Sequence, residues 1–415
     1  MQKSRGIFLI ALFLYSFPGT AQQTTELIVK NKIDHLTTLA REPMVCEHPS
    51  GSLFVSGYTN SSGSPQLWKS SNGGLTWQTV DVGTIDDGAI GNSDVDLFID
   101  AKGNIYLLSM TFTKLPENLE DFDYSIMKGE RITVGVSRDE GQSWSWKTIS
   151  ENDYDDRPWI TATTDGTLHI IWNDGKGVHH AASTDEGETW NKRPSIYQKG
   201  GSSFLADGNN GQLAVRVAPL SASAHQMDEG IDLIRLSHDN GNTWKDVEIP
   251  GSRTWTQDLT GIPMWVEPLA WDEEDNLYVL WSEGLELKLG MTDDNGASWQ
   301  EQTVVQSEDT LYHPYLKMSE KGLLCTWVSG FNKSIKHHAA LLNMEGDEIT
   351  AVQLEPQKLD VWSRYALGEY QRSIGGEYFP IIPLSNGNFG MVTTIQNSKA
   401  NRLGFTWWEL VLHTF

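Results

Sequence analysis

The sequence predicts an all-β chain folded as a single β-propeller of seven blades, each of four antiparallel strands, with six blades as the alternative. Three observations carry this. An octapeptide of the frame Ser/Thr-x-Asp/Asn-x-Gly-x-Ser/Thr-Trp is written five times, at Ser70–Trp77, Ser137–Trp144, Ser183–Trp190, Ser237–Trp244 and Thr292–Trp299. Two short apolar runs, split by a turn that carries Gly in the first four copies and Asp275-Asn276 in the fifth, precede each copy. The paired runs then recur twice beyond the last copy. A period of this kind fixes architecture before any single residue fixes chemistry.

Each position of the octapeptide has a local task. The Asp or Asn oxygen accepts from backbone amides further along and closes a tight turn. The Gly supplies a positive φ that a Cβ resists. The Trp is a large apolar wedge with one donor. The acids of the frame are therefore expected to be structural rather than catalytic or metal-binding.

The third repeat illustrates the unit. Arg157-Pro158-Trp159-Ile160-Thr161-Ala162 reads as its first strand, Asp165-Gly166 as a turn, and Thr167 to Trp172 as the second strand. Val178 to Ala182 runs into the octapeptide, and a fourth strand follows Trp190. Four such strands make one blade. Repeats one, two, four and five open near Glu42-Pro43, Asp94-Val95, Ser203-Phe204 and Glu267-Pro268. The two repeats without an octapeptide open at His313-Pro314 and Phe379-Pro380. The last supplies only three strands, ending over Leu403 to Leu412, so Glu26 to Val29 is expected to return as its fourth and close the ring.

Residues 1–21 read as an export leader: Lys3 and Arg5, then an apolar core from Ile7 to Phe17, then small residues up to Ala21. The domain proper is expected over 22–415, secreted or periplasmic after cleavage near Ala21. The apolar core is too short to span a membrane, and no other stretch is long enough. A net charge of −24 opposes nucleic-acid binding. Cys46 and Cys325, the only cysteines, lie in apolar runs and are expected as buried free thiols. The stretch Thr113 to Glu130 interrupts repeat two and reads as a long loop.

The octapeptide is the Asp box, or BNR repeat, and the chain resembles the sialidase superfamily of propellers. That resemblance implies a funnel where the segments leading into the first strands converge. Those segments carry Arg41 and Glu42, Asp94, Asp156 and Arg157, Ser202 and Ser203, Glu267, Tyr312 and His313, and Tyr378. It also implies arginines gripping a substrate carboxylate. Ala40-Arg41-Glu42-Pro43 occupies the place of the family's aromatic-Arg-Ile-Pro motif, and Arg216 is a weaker match to a second arginine. Gly57 to Ser64 lacks the family's next arginine and its acid. The family's tyrosine nucleophile and glutamate partner have only compositional candidates, Tyr365 with Glu369 and Tyr378 with Glu377.

Three functions follow. The first is a glycosidase on a sialic or uronic acid-containing glycan, with Arg41, Arg157 and Arg216 holding a carboxylate and acids drawn from Asp94, Asp156 and Glu267. The second is a polysaccharide lyase using His313 with Tyr312 or Tyr378 as base and acid. The third is a non-catalytic glycan- or protein-binding propeller. A monomer without cofactor or metal is expected. His179-His180 and His337-His338 are neighbours on strands and point to opposite faces, so neither pair chelates one ion.

Overall fold

A computed structural model describes residues 25–414 apart from 39, 60–62, 114–127, 175, 199, 219, 222–225, 228–229, 232, 251–253, 256–268, 284, 310, 331–334, 346–347, 359–377 and 398–401. The expected leader, most of the repeat-two loop, Glu267, Tyr365, Glu369 and Glu377 lie outside the described residues, as does the side chain of Tyr312.

Seven antiparallel sheets form the seven blades. Blade 1 is Arg41–Glu47, Leu53–Tyr58, Gln66–Ser70 and Gln78–Thr79; blade 2 is Ser93–Ile99, Ile105–Phe112, Gly129–Ser137 and Ser145–Ser150. Blade 3 is Asp156–Ala162, Leu168–Asn173, Val178–Ser183 and Asn191–Lys192. Blade 4 has a first strand broken into Gly201–Ser202 and Ala206–Asp207, then Leu213–Ala218, Leu233–Ser237 and Lys245–Val247. Blade 5 is Leu269–Trp271, Leu277–Glu283, Glu286–Thr292 and Gln300–Gln306; blade 6 is Leu311–Ser319, Gly322–Ser329, Lys336–Glu345 and Glu348–Gln353. Blade 7 is Ile381–Pro383, Phe389–Asn397, Arg402–Thr414 and, as its fourth strand, Thr25–His35. Among the described residues no helix is long and apolar enough to cross a membrane.

The ring closes as the sequence predicts. Thr25–His35 pairs antiparallel with Arg402–Thr414, Leu27 opposite Leu412 and His35 opposite Phe405. Glu409 fastens the join, accepting from Lys30 Nζ at 2.9 Å and from the amides of Asn31 and Asn388, each at 2.6 Å. The first strand of each blade packs on that of the next, and blade 7 returns to blade 1. Cys46 and Cys325 are free; Cys325 is buried, while Cys46 is half-buried with its thiol donating to the Leu97 carbonyl at 3.1 Å.

The octapeptides form the turns between third and fourth strands, and the first hydroxyl of each bonds to the Asp or Asn two residues on. In blade 3 the Ser183 hydroxyl accepts from the Gly187 amide at 2.9 Å and donates to Asp185. Asp185 in turn accepts from the amide and hydroxyl of Thr189 at 2.9 and 2.6 Å. The turn needs two successive positive φ values, as at Glu186 (58°) and Gly187 (82°). The glycines also let each turn lie against the preceding blade; a Cβ on Gly74 would collide with the Trp407 indole of blade 7. The tryptophans follow the same direction: Trp77 meets Trp407 at 5.9 Å, and Trp299 donates to the Glu248 carbonyl of blade 4 at 3.1 Å.

First strands run from one end of the ring to the other and second strands run back. The heads of the first strands therefore sit at the end opposite the octapeptide turns.

Candidate functional site

The heads of the first strands share a distortion. In blades 1, 2, 3 and 6 the register with the second strand slips by a β-bulge, between Arg41 and Met44, Ser93 and Val95, Asp156 and Trp159, and Tyr312 and Tyr315. Within these bulges Glu42, Arg157 and His313 each adopt φ 47°, and each precedes a proline, Pro43, Pro158 and Pro314. A pre-proline residue is pushed by sterics toward extended backbone, so a left-handed conformation there is strained by roughly 1–3 kcal/mol. The strain recurs at corresponding places in three blades and in each re-aims an ionisable side chain. Bulges are a known means of turning a side chain out of its pleat.

Blades 1 to 3 bring these side chains into one cluster. Asp94, only 8% exposed, shares a side-chain hydrogen bond with Glu42, which is 6% exposed. Burial pushes the Asp94 carboxyl well above the usual carboxylate range, and the charges of Glu42 and Asp156 push it further; Arg157 opposes them. Two adjacent buried acids cannot both ionise cheaply, so one keeps its proton. Glu42 also accepts from the Tyr58 hydroxyl at 2.8 Å. Burial holds the Tyr58 phenol well above its ordinary range, with Arg41 opposing and the neighbouring acids reinforcing. The Arg41 guanidinium lies 5.5 Å from the Tyr58 ring centroid. Asp156 accepts from Arg157 Nη1 at 2.9 Å and from the Arg157 amide at 3.0 Å.

Of the residues anticipated from sequence, Arg41, Asp94, Asp156 and Arg157 thus meet in one place. His313 is buried at the head of blade 6, its ring 6.2 Å from Phe379. Tyr378 is packed differently. Its ring meets Trp159 of blade 3 at 5.0 Å and Phe204 of blade 4 at 5.5 Å, and Phe204 meets Tyr315 of blade 6 at 5.4 Å. These four rings plug the axis between opposite blades. Arg216 sits on the second strand of blade 4, Leu213–Ala218. It is almost wholly buried there, its amide donating to the Ser203 hydroxyl at 3.0 Å.

Sequence reading missed Tyr58 as a site residue and underweighted Glu42. The signal for Tyr58 was available in register: it pairs with Arg41 across the first hairpin of blade 1. Together Tyr58 and Glu42 form a tyrosine–glutamate contact that neither compositional pairing had named. Among the described residues no group of His, Cys, Asp and Glu is arranged to hold a metal ion.

The fold is shared with known propellers. Over 90% of this chain and 95% of the other, it superimposes on an ulvan lyase, a polysaccharide lyase of family PL25, at a TM-score of 0.53 and 10% identity. The same lyase bound to -[GlcA(1-4)Rha3S]- gives 0.51 over the same shares. The Hadza microbial sialidase Hz136 gives 0.45 at 16% identity over 76% of this chain and 66% of the sialidase. No protein-family model and no curated protein matches the sequence. At such identities the likeness is one of fold, and function rests on the site.

Proposed function

We propose that this propeller processes an anionic glycan at the blade 1–3 cluster, as a glycoside hydrolase with Asp94 as proton donor. The observation that carries the reading is the buried Asp94–Glu42 pair, which keeps a carboxylic acid protonated beside two arginines. Glycosidic cleavage needs one carboxyl that holds its proton at working pH and a second that does not. Asp156, which accepts from Arg157 Nη1 at 2.9 Å, is the other carboxyl of the cluster. Arg41 and Arg157 supply the positive charge that an acidic sugar requires. Tyr58 orients Glu42 through its 2.8 Å hydrogen bond.

A second reading is supported by the near whole-chain overlap with the ulvan lyase: proton abstraction beside a uronate carboxylate, followed by elimination. In that reading His313 is the base to test. The two separate in one assay. Incubation of the protein with sialosides and with uronic acid polysaccharides releases reducing ends without near-ultraviolet absorbance if it is a hydrolase. A lyase releases unsaturated ends that absorb. Saturable binding with no product would overturn both and leave a binding propeller. We further propose that the protein works outside the cytoplasm after removal of residues 1–21; a mature N-terminus at Gln22 in exported protein is the expected result.

A further inference from the structure

We propose a second ligand site on the outer part of blade 3, built to take an oxyanion carried by a sugar, either a carboxylate or a sulfate ester. A cavity of about 90 Å³ opens there between Asn152, Trp172, His179, His180, Lys192 and Arg193. It is small enough to take one charged group rather than a whole sugar ring. Trp172 pairs in register with His179, one residue from the step where Asn173 faces Asp156, so the cavity lies at the same end of the ring as the carboxyl cluster.

Three features select an anion. Lys192 and Arg193 are cationic and join no ion pair among the described residues, whereas His179 is paired with Asp174 at 3.0 Å. Arg193 spends an Nη1 donor on Asn242 Oδ1, and its buried Nε–H meets no acceptor among the described residues. Trp172 is 2% exposed, and its indole N–H likewise meets no acceptor there. A buried donor left unmatched is destabilising, and an acceptor on a ligand recovers the loss. The cavity sets two buried donors, the Arg193 Nε–H and the Trp172 indole N–H, beside the Lys192 ammonium and the rest of the Arg193 guanidinium. The inference depends on the glycan reading for the sugar that carries the anion, and on the cavity alone for the anion itself.

The test follows tryptophan indole N–H resonances of the full chain by NMR during titration with sodium sulfate, sodium glucuronate, glucose and, at matched ionic strength, sodium chloride. One indole resonance, assigned with Trp172→Phe, is expected to move saturably with sulfate, glucuronate or both. Response to only one of the two names the source of the oxyanion. The double variant K192Q/R193Q, altered at the rim, is expected to weaken that response at least tenfold and decides the matter even if Trp172→Phe does not fold. An equal response to glucose or chloride, no saturable response, or unchanged binding in K192Q/R193Q overturns the proposal. Asp94→Asn is expected to lower turnover by roughly 10²–10⁴-fold while leaving the indole response intact, so failure of the catalytic reading and failure of this one are distinguishable.

Discussion

The two ends of the propeller use the same residue type in opposite ways. At the octapeptide end, Asp185 and Asp294 are pulled down to about 2, chiefly by the hydroxyls of Thr189 and Ser298 and then by the amides of the same residues. At the other end, burial and a neighbouring acid raise Asp94 well above the ordinary carboxylate range. Nothing in an aspartate distinguishes these fates. What differs is whether donors or acceptors surround it and whether water reaches it. Donors hold the turn acids in the charged form, while burial and neighbouring acids favour the protonated form of Asp94.

That contrast is broken most forcefully by Asp94→Asn. Loss of the donor is expected to lower turnover on an acidic glycan by roughly 10²–10⁴-fold, whereas Asp139→Asn in a turn leaves turnover unchanged; steady-state rates of the two variants check this. Asp96 sharpens it next. This buried carboxyl accepts from the amides of Leu97 and Ile160 at 2.8 and 2.9 Å, yet burial raises it to about 7. Its folded value lies above its unfolded value of about 3.9, so the wild type loses stability as pH rises from about 4 through about 7. The loss reaches at most about 4 kcal/mol. Asp96→Asn keeps an acceptor oxygen and is expected to flatten that slope in denaturant titrations across the window.

A smaller effect is expected at the turn end from Gly74→Ala. Its φ is 86° and the Trp407 indole occupies the space a Cβ needs, so the variant should lose about 2 kcal/mol or more in chemical denaturation. Smallest is Ser137→Ala, which removes the hydroxyl that accepts from the Gly141 amide at 2.8 Å. It should cost about 1 kcal/mol and leave turnover untouched. A large activity loss in Ser137→Ala would end the division of labour between the two ends.

Much of the fold was legible because its cause is local. The octapeptide turns, the hairpins before them and the three-strand last repeat are encoded within stretches of a few residues. The return of Glu26 to Val29 into the last blade followed from counting strands. The site was legible only in part. Residues before prolines at Arg41-Glu42-Pro43, Asp156-Arg157-Pro158 and Tyr312-His313-Pro314 advertised themselves by charge. Tyr58 did not, because its role comes from pairing across a hairpin. Tyr378 looked the same as a catalytic tyrosine until its packing on Trp159 placed it in the axial plug.

The sequence alone determined a ring of repeated four-strand units, since turn chemistry and strand period act over short range and need no distant partner. Tertiary structure decided which ionisable groups share a space. Glu42, Asp94 and Asp156 stand on three consecutive blades, and only the packing of those blades against one another sets Asp94 beside the other two, where burial and their charges raise it.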